Sequence, residues 1–171
     1  RPTPSYSSAA SDVYKRQVIA NRDEYHERKT TEMHWWSDKD LLAGKDEQAG
    51  GTWLGINKDG RFAAITNLKE NTDKKYLSSR GSLVTKFLES TLSAKAYLED
   101  LEKEKENFAG FNLIVGDKNG LFYLCNRLEG IFFLNEGTHA LGNLTLNAST
   151  SKVESIKADL DLLIHNGFNE S

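Results

Sequence analysis

Four polar residues in a row, Asn21-Arg22-Asp23-Glu24, follow directly on Val18-Ile19-Ala20. The apolar triplet reads as the end of a buried strand, and strand ends are where a fold can hand polar groups to a cleft. Arg22 beside Asp23 has two readings there: a surface ion pair of little energetic weight, or part of a polar cleft. Asn67 closes the apolar run FAAITN, and Asn143 closes THALGN. Asparagine at a strand end serves turns, but two such amides can also meet in a cleft as donors to a developing oxyanion. His26, His34, His139 and His165 have no metal-ligand spacing, and neither HExxH nor CxxCH occurs, so no metal site is expected. Cys125, inside the apolar run FYLCN, reads as a buried inert thiol rather than a nucleophile. Trp35-Trp36 reads as core or interface.

The elements that must position these residues are those of one ordinary domain. In 171 residues, 38% are hydrophobic, enough to bury a sizeable core. No apolar run approaches the roughly 18 residues of a membrane helix. The net charge is −3 with Lys and Arg scattered, so no nucleic-acid footprint is visible. One cysteine leaves no internal disulfide and no multi-cysteine zinc site.

The lead-in does not belong to this pattern. Both prolines, Pro2 and Pro4, fall in the first four residues, and the next 167 contain none. SSAASDVYKRQ, Ser7 to Gln17, matches residue for residue the translation of a transposase-based library adapter. Residues 1–17 are therefore read as a non-native, disordered segment and set aside. Residues 18–171 are read as a partial domain truncated at both ends, since the chain enters at Val18 and stops just after a helix.

Within it, Thr52 to Ile56 and Arg61 to Thr66 are β-rich runs joined by Asn57-Lys58-Asp59-Gly60, a hairpin turn. Phe111 to Asn126 forms a second hairpin on Asp117-Lys118-Asn119-Gly120, and Ile131 to Leu134 and Thr138 to Leu141 continue the sheet. Leu83, Val84, Phe87 and Leu88 mark a helix over 82–89. A second helix is expected over Ala94 to Asn107, its EKEKE run being a solvated face. A third starts at Ser151, with Glu154 at capping-box spacing and an apolar stripe of Val153, Ile156, Leu160 and Leu163, stopping at Gly167. Such runs predict an α+β architecture with helices packed on mostly antiparallel sheets.

ANRDE (Ala20 to Glu24), LAGKD (Leu42 to Asp46), GGTWLGI (Gly50 to Ile56), AAITN, SRGSLV (Ser79 to Val84), GFNLI (Gly110 to Ile114) and CNR (Cys125 to Arg127) occur in this order. Together they resemble the NRDE family, also called the transport and Golgi organization protein 2 family, over essentially all of Val18 to Asn169. The resemblance implies an N-terminal-nucleophile-hydrolase-like αββα sandwich. It also implies an N-terminal Cys, after an initiator Met, that attacks the carbonyl of an amide C–N bond with its own α-amine as base. By analogy with cholylglycine-type amidases, Arg22 would hold the thiolate by charge, Asp23 would orient the amine, and Asn67 and Asn143 would serve oxyanion and substrate. This chain has no Cys ahead of the motif, and Arg28-Lys29 stands where the family has Arg-Pro. The polypeptide as written is therefore expected to be inactive. The family's biology implies the alternative, a binding or trafficking protein for a hydrophobic metabolite such as haem or lipid, with His34, His26 or Met33 as an axial ligand in a cleft. Under either reading the partner is a small molecule, no resident cofactor is expected, and the expected location is cytoplasmic.

Overall fold

The computed structural model describes residues 17–22, 24, 27–70, 74, 76 and 78–165. Most of the lead-in, Asp23, His26 and the expected stop at Gly167 lie outside these residues. In chain order the elements are β1 (Thr30–Trp35), β2 (Leu41–Asp46), β3 (Leu54–Asn57), β4 (Phe62–Asn67), α1 (Gly81–Glu89), α2 (Ala94–Glu102), one 3-10 turn (Lys105–Asn107), β5 (Phe111–Asp117), β6 (Gly120–Cys125), β7 (Phe132–Leu134) and α3 (Ser151–His165). All seven strands form one sheet in sequence order, each antiparallel to its neighbours. The fold is thus α+β with an antiparallel sheet, as expected. The described residues build one sheet, not the two of an αββα sandwich.

The two expected hairpins owe their turns to side-chain acceptors. Asn57 Oδ1 accepts from the N–H groups of Asp59 and Arg61 at 3.0 and 2.9 Å, and Gly60 takes the left-handed φ of +74° that closes β3 onto β4. Asn57 Nδ2 and Arg61 Nη2 then donate to the carbonyls of Leu88 and Phe87, each at 2.9 Å, satisfying the C-terminal end of α1. In the second hairpin Asp117 Oδ1 accepts from Asn119 N at 2.7 Å, while its Oδ2 accepts from Ala94 N at 2.7 Å and so ties the turn to the first residue of α2.

The period-2 pleat sends alternate residues to opposite faces. Ala63 and Ile65 of β4 pair with Val115 and Leu113 of β5, and these side chains pack with Leu83, Val84, Phe87 and Leu88 of α1 and with Ala94, Leu98 and Leu101 of α2. This is the main core, covered by two amphipathic helices. The opposite face carries a smaller cluster, in which Tyr123, Cys125 and Leu134 are buried against Leu68, Ile114, Leu121, Leu141 and Leu146.

Several expectations need correction. Val18 to Ala20 join no strand among the described residues, and Val18 and Ile19 are 48% and 75% exposed. Thr138 to Leu141 is irregular loop, since β7 forms the sheet edge and no eighth strand pairs with it among the described residues. The second helix stops at Glu102 rather than Asn107. There Asn126 Nδ2 lies 3.1–3.2 Å from the carbonyls of Lys105, Phe108 and Ala109 and draws the chain back toward the sheet. At α3 the cap is Thr150, whose Oγ1 accepts from Val153 N at 3.2 Å, and Ser151 is the first helical residue. Two strands had no sequence signal. β1 is exposed at all six positions and its pairing slips between Thr31 and His34, and β2 is interrupted by Gly44 and Lys45. Of the tryptophan pair, Trp36 is core, its Nε1 donating to Ala43 O at 3.1 Å, whereas Trp35 is exposed.

Candidate functional site

The sheet face away from α1 and α2 opens into a cleft of about 2480 Å³. Its floor is the outward half of the pleat, including Leu54, Phe62, Ala64, Ile114 and Leu121. Val153, Ile156 and Leu160 of α3 and the loop around residues 135–145 also line it. Three residues of the apolar stripe expected on the last helix, Val153, Ile156 and Leu160, are therefore turned to this cleft.

Charged groups gather at one end. Arg22 Nη2 lies 3.8 Å from Glu24 Oε2, which also lies 3.6 Å from Arg28 Nη1. Arg28 Nε and Nη2 both reach Asp46 Oδ2, at 2.8 and 2.7 Å. Asp46 Oδ1 in turn accepts from the N–H groups of Gln48 and Ala49 at 3.0 Å. Burial alone would raise the Asp46 pKa, but those two N–H groups and the Arg28 guanidinium together hold it below the usual carboxylate value. Next along the rim, Arg80 Nη1 donates to Gly110 O at 2.8 Å, and Gly110 N donates to Glu70 Oε2 at 2.5 Å. Glu70 Oε1 receives Arg127 Nε at 2.5 Å, and Arg127 Nη2 reaches the Tyr76 hydroxyl at 3.0 Å. Burial opposes ionisation of Glu70, yet the Gly110 N–H and Arg127 outweigh it and lower its pKa.

Two glycines explain how this rim closes. A Cβ on Gly51 would stand 2.8 Å from the Gly81 carbonyl carbon, so only bare backbone lets the β2–β3 loop touch the start of α1. GGTWLG and SRGSLV are thus two sides of one contact.

Of the four predicted site residues, three line this cleft: Arg22, Asn67 and Asn143. The fourth, Asp23, lies outside the described residues. Asn67 ends β4 as expected. Asn143 sits in a loop, held not by a strand but by Lys69 N, which donates to its carbonyl at 2.8 Å, and by Thr66 Oγ1, which donates to the neighbouring Gly142 O at 2.9 Å. Both side chains are exposed to the cleft, and no hydrogen bond joins any two of Arg22, Asn67 and Asn143. Met33 and His34 stand exposed on β1 and do not line the cleft, whereas His139 does, with Nε2 2.9 Å from Asn135 O. Cys125 is buried on the same sheet face, matching the inert-thiol expectation as to burial.

Sequence reasoning missed Asn112 and Tyr123, which sit buried beneath the Asn143 loop. The available signal was a single amide interrupting the apolar run FNLIV.

The arrangement is that of an α+β protein whose antiparallel sheet is helix-covered on one face and carries a polar-rimmed cleft on the other. The family model for "Transport and Golgi organisation 2" matches residues 6–171, and the chain belongs to that family, as its motifs implied. It is 33% identical over 154 residues to the transport and Golgi organization protein 2 homolog of Bos taurus and 32% identical over 154 residues to that of Homo sapiens, covering 84% of this chain and 56% of each relative. An uncharacterized protein of Saccharomyces cerevisiae is 33% identical over 128 residues, which is 65% of this chain and 40% of the yeast protein. The chain spans about half the length of the curated relatives it matches. Among the described residues no helix is long and apolar enough to cross a membrane.

Proposed function

We propose that in the intact family protein this cleft hydrolyses a C–N bond of a small amide, with an N-terminal Cys ahead of Val18 as nucleophile. The observation that carries this reading is that Arg22, Asn67 and Asn143, far apart in sequence, line one cleft at the end of the sheet that the NRDE motif reaches. The thiol would pass its proton to the Cys α-amine and add to the carbonyl carbon. The resulting oxyanion would take N–H donors from Asn67 and Asn143. Collapse would expel the amine, which recovers that proton, and water would then release the acid from the thioester. Arg22 would favour the thiolate by charge, and Asp23 would orient the α-amine. A second sheet, completing an αββα sandwich, would come from the further length that the relatives possess. The present chain, whose one thiol is the buried Cys125, is expected to lack turnover.

The test is the intact protein with its native N-terminus, assayed on a panel of small amides against its nucleophile Cys→Ala variant. The reading expects the variant to lose about 10³-fold or more of kcat. Turnover that survives the substitution, or no turnover on any amide, would discard it.

A second reading, binding or trafficking of a hydrophobic metabolite such as haem or lipid, is favoured by the apolar wall formed by Ile114, Leu121, Val153, Ile156 and Leu160. With Met33 and His34 off the cleft, His139 is the described histidine there that could ligate haem iron. A haem titration whose Soret band is unchanged by His139→Ala would remove that ligand.

A further inference from the structure

The Asn143 side chain can serve a reacting carbonyl only if its loop has one position, and no strand holds that loop. We infer that Asn112 and Tyr123 are positioning residues that fix Asn143 at the cleft end. The inference rests on the reading that gives Asn143 a role in the cleft.

Asn112, the second residue of β5, is fully buried between Thr66 of β4 and Cys125 of β6. Tyr123, also buried, is the next residue on the same face of β6. The hydrogen bonds have only one consistent direction. Leu144 O can only accept, which places Asn112 Nδ2 beside it and turns Oδ1 to Tyr123. The phenolic proton therefore goes to Asn112 Oδ1, 2.7 Å away, while Leu146 N donates to the phenol oxygen at 3.2 Å. With Oδ1 occupied as acceptor, Asn112 Nδ2 donates to Leu144 O at 2.9 Å and to Thr66 Oγ1 at 3.3 Å. Thr66 passes its own proton to Gly142 O, and Lys69 N takes Asn143 O. The carbonyls of Gly142 and Leu144 and the N–H of Leu146 are thereby fixed to the sheet, and the Asn143 carbonyl to the segment that follows β4.

Packing alone does not call for this. Ile114 and Leu121 fill neighbouring positions on the same face with hydrocarbon, at no desolvation penalty. The two buried polar side chains direct their free bonding capacity to the loop that bears Asn143. Burial also pushes the Tyr123 phenol up to about 12, with Cys125 beside it, so its proton stays in place across the physiological range.

Amide hydrogen exchange of the 171-residue chain, read residue by residue by NMR, tests the anchoring. Lys69 N reports the position of Asn143 without touching either positioning residue. Tyr123→Phe should speed Lys69 exchange by about tenfold or more while Leu113 and Val115 keep their protection. Asn112→Asp, which keeps the acceptor and loses the donor, should do the same. Unchanged protection at Lys69 in Tyr123→Phe, which retains the ring and is the safer variant to fold, would overturn the inference. In the intact protein, Tyr123→Phe should lower kcat several-fold at unchanged KM, and should add nothing to Asn143→Ala. Additive losses would mean that Tyr123 acts only on stability, and would also overturn it. If Asn143→Ala itself leaves turnover untouched, the role of Asn143 in hydrolysis falls, while exchange at Lys69 still decides the anchoring.

Discussion

The two faces of this sheet are made by the same strands and held by different forces. On the helix-covered face, Phe111, Leu113 and Val115 meet Phe87, Leu88 and Leu98, and apolar burial does nearly all the work. On the cleft face, Asn112, Tyr123 and Thr66 alternate with Ile114 and Leu121, and hydrogen bonds fix a loop that has no strand of its own. The first face could be repacked with other hydrocarbons of similar volume. The second is specified atom by atom, because each hydrogen bond needs its own donor and acceptor in place. A fold of this kind separates its stability from its site across the thickness of a single sheet.

The largest effect that would sharpen the contrast is a cavity on the covered face. Phe87 is fully buried, its ring 5.2 Å from that of Tyr97 and 4.1 Å from the Arg61 guanidinium. Phe87→Ala should cost about 3–5 kcal/mol in urea unfolding. On the cleft face, Tyr123→Phe keeps the ring and removes two hydrogen bonds, and should cost about 1–2 kcal/mol by the same measurement. Equal losses in the two variants would break the comparison, since the cleft network would then be core.

The smallest effect is a pH dependence at the Glu70–Arg127 pair, which packs behind the cleft residue Tyr76. Glu70 has a folded pKa below its usual 4.5, because the Gly110 N–H and Arg127 outweigh burial. Its contribution is therefore complete above that value and is lost as pH falls through the lower folded one. Between about pH 5 and pH 3 the wild-type melting temperature should fall more steeply than that of Glu70→Gln. Parallel slopes would show that the pair carries no linked stability.

What the sequence disclosed divides along the same line. The covered face was legible because Leu83, Val84, Phe87 and Leu88 repeat at helical spacing and because FAAITN and FNLIV are apolar runs bounded by turn residues. The turns were legible because Asp-Gly and Asn-Gly favour left-handed backbone. Arg22, Asn67 and Asn143, singled out from the sequence, line one cleft, but the expected strand before Asn143 is a loop. Its support comes from Asn112 and Tyr123, twenty or more positions away in the chain, and no local pattern encodes such a bond. The end of α2 was missed for the same reason, since the group that draws the chain away is the Asn126 amide on the far side of a hairpin. β1 escaped because a strand with every residue exposed has no alternation to read.

That exposed strand has a further consequence. An open sheet edge is a template on which a second molecule can add a strand and begin an aggregate. Here the pairing register of β1 slips between Thr31 and His34, which bends the ribbon and breaks the even spacing of its outward N–H and C=O groups. Glu32 places an acid inside the irregular stretch, so an incoming strand would meet both a misaligned ladder and a fixed charge. The register slip in β1 thus disfavours growth of the sheet by self-association at this edge.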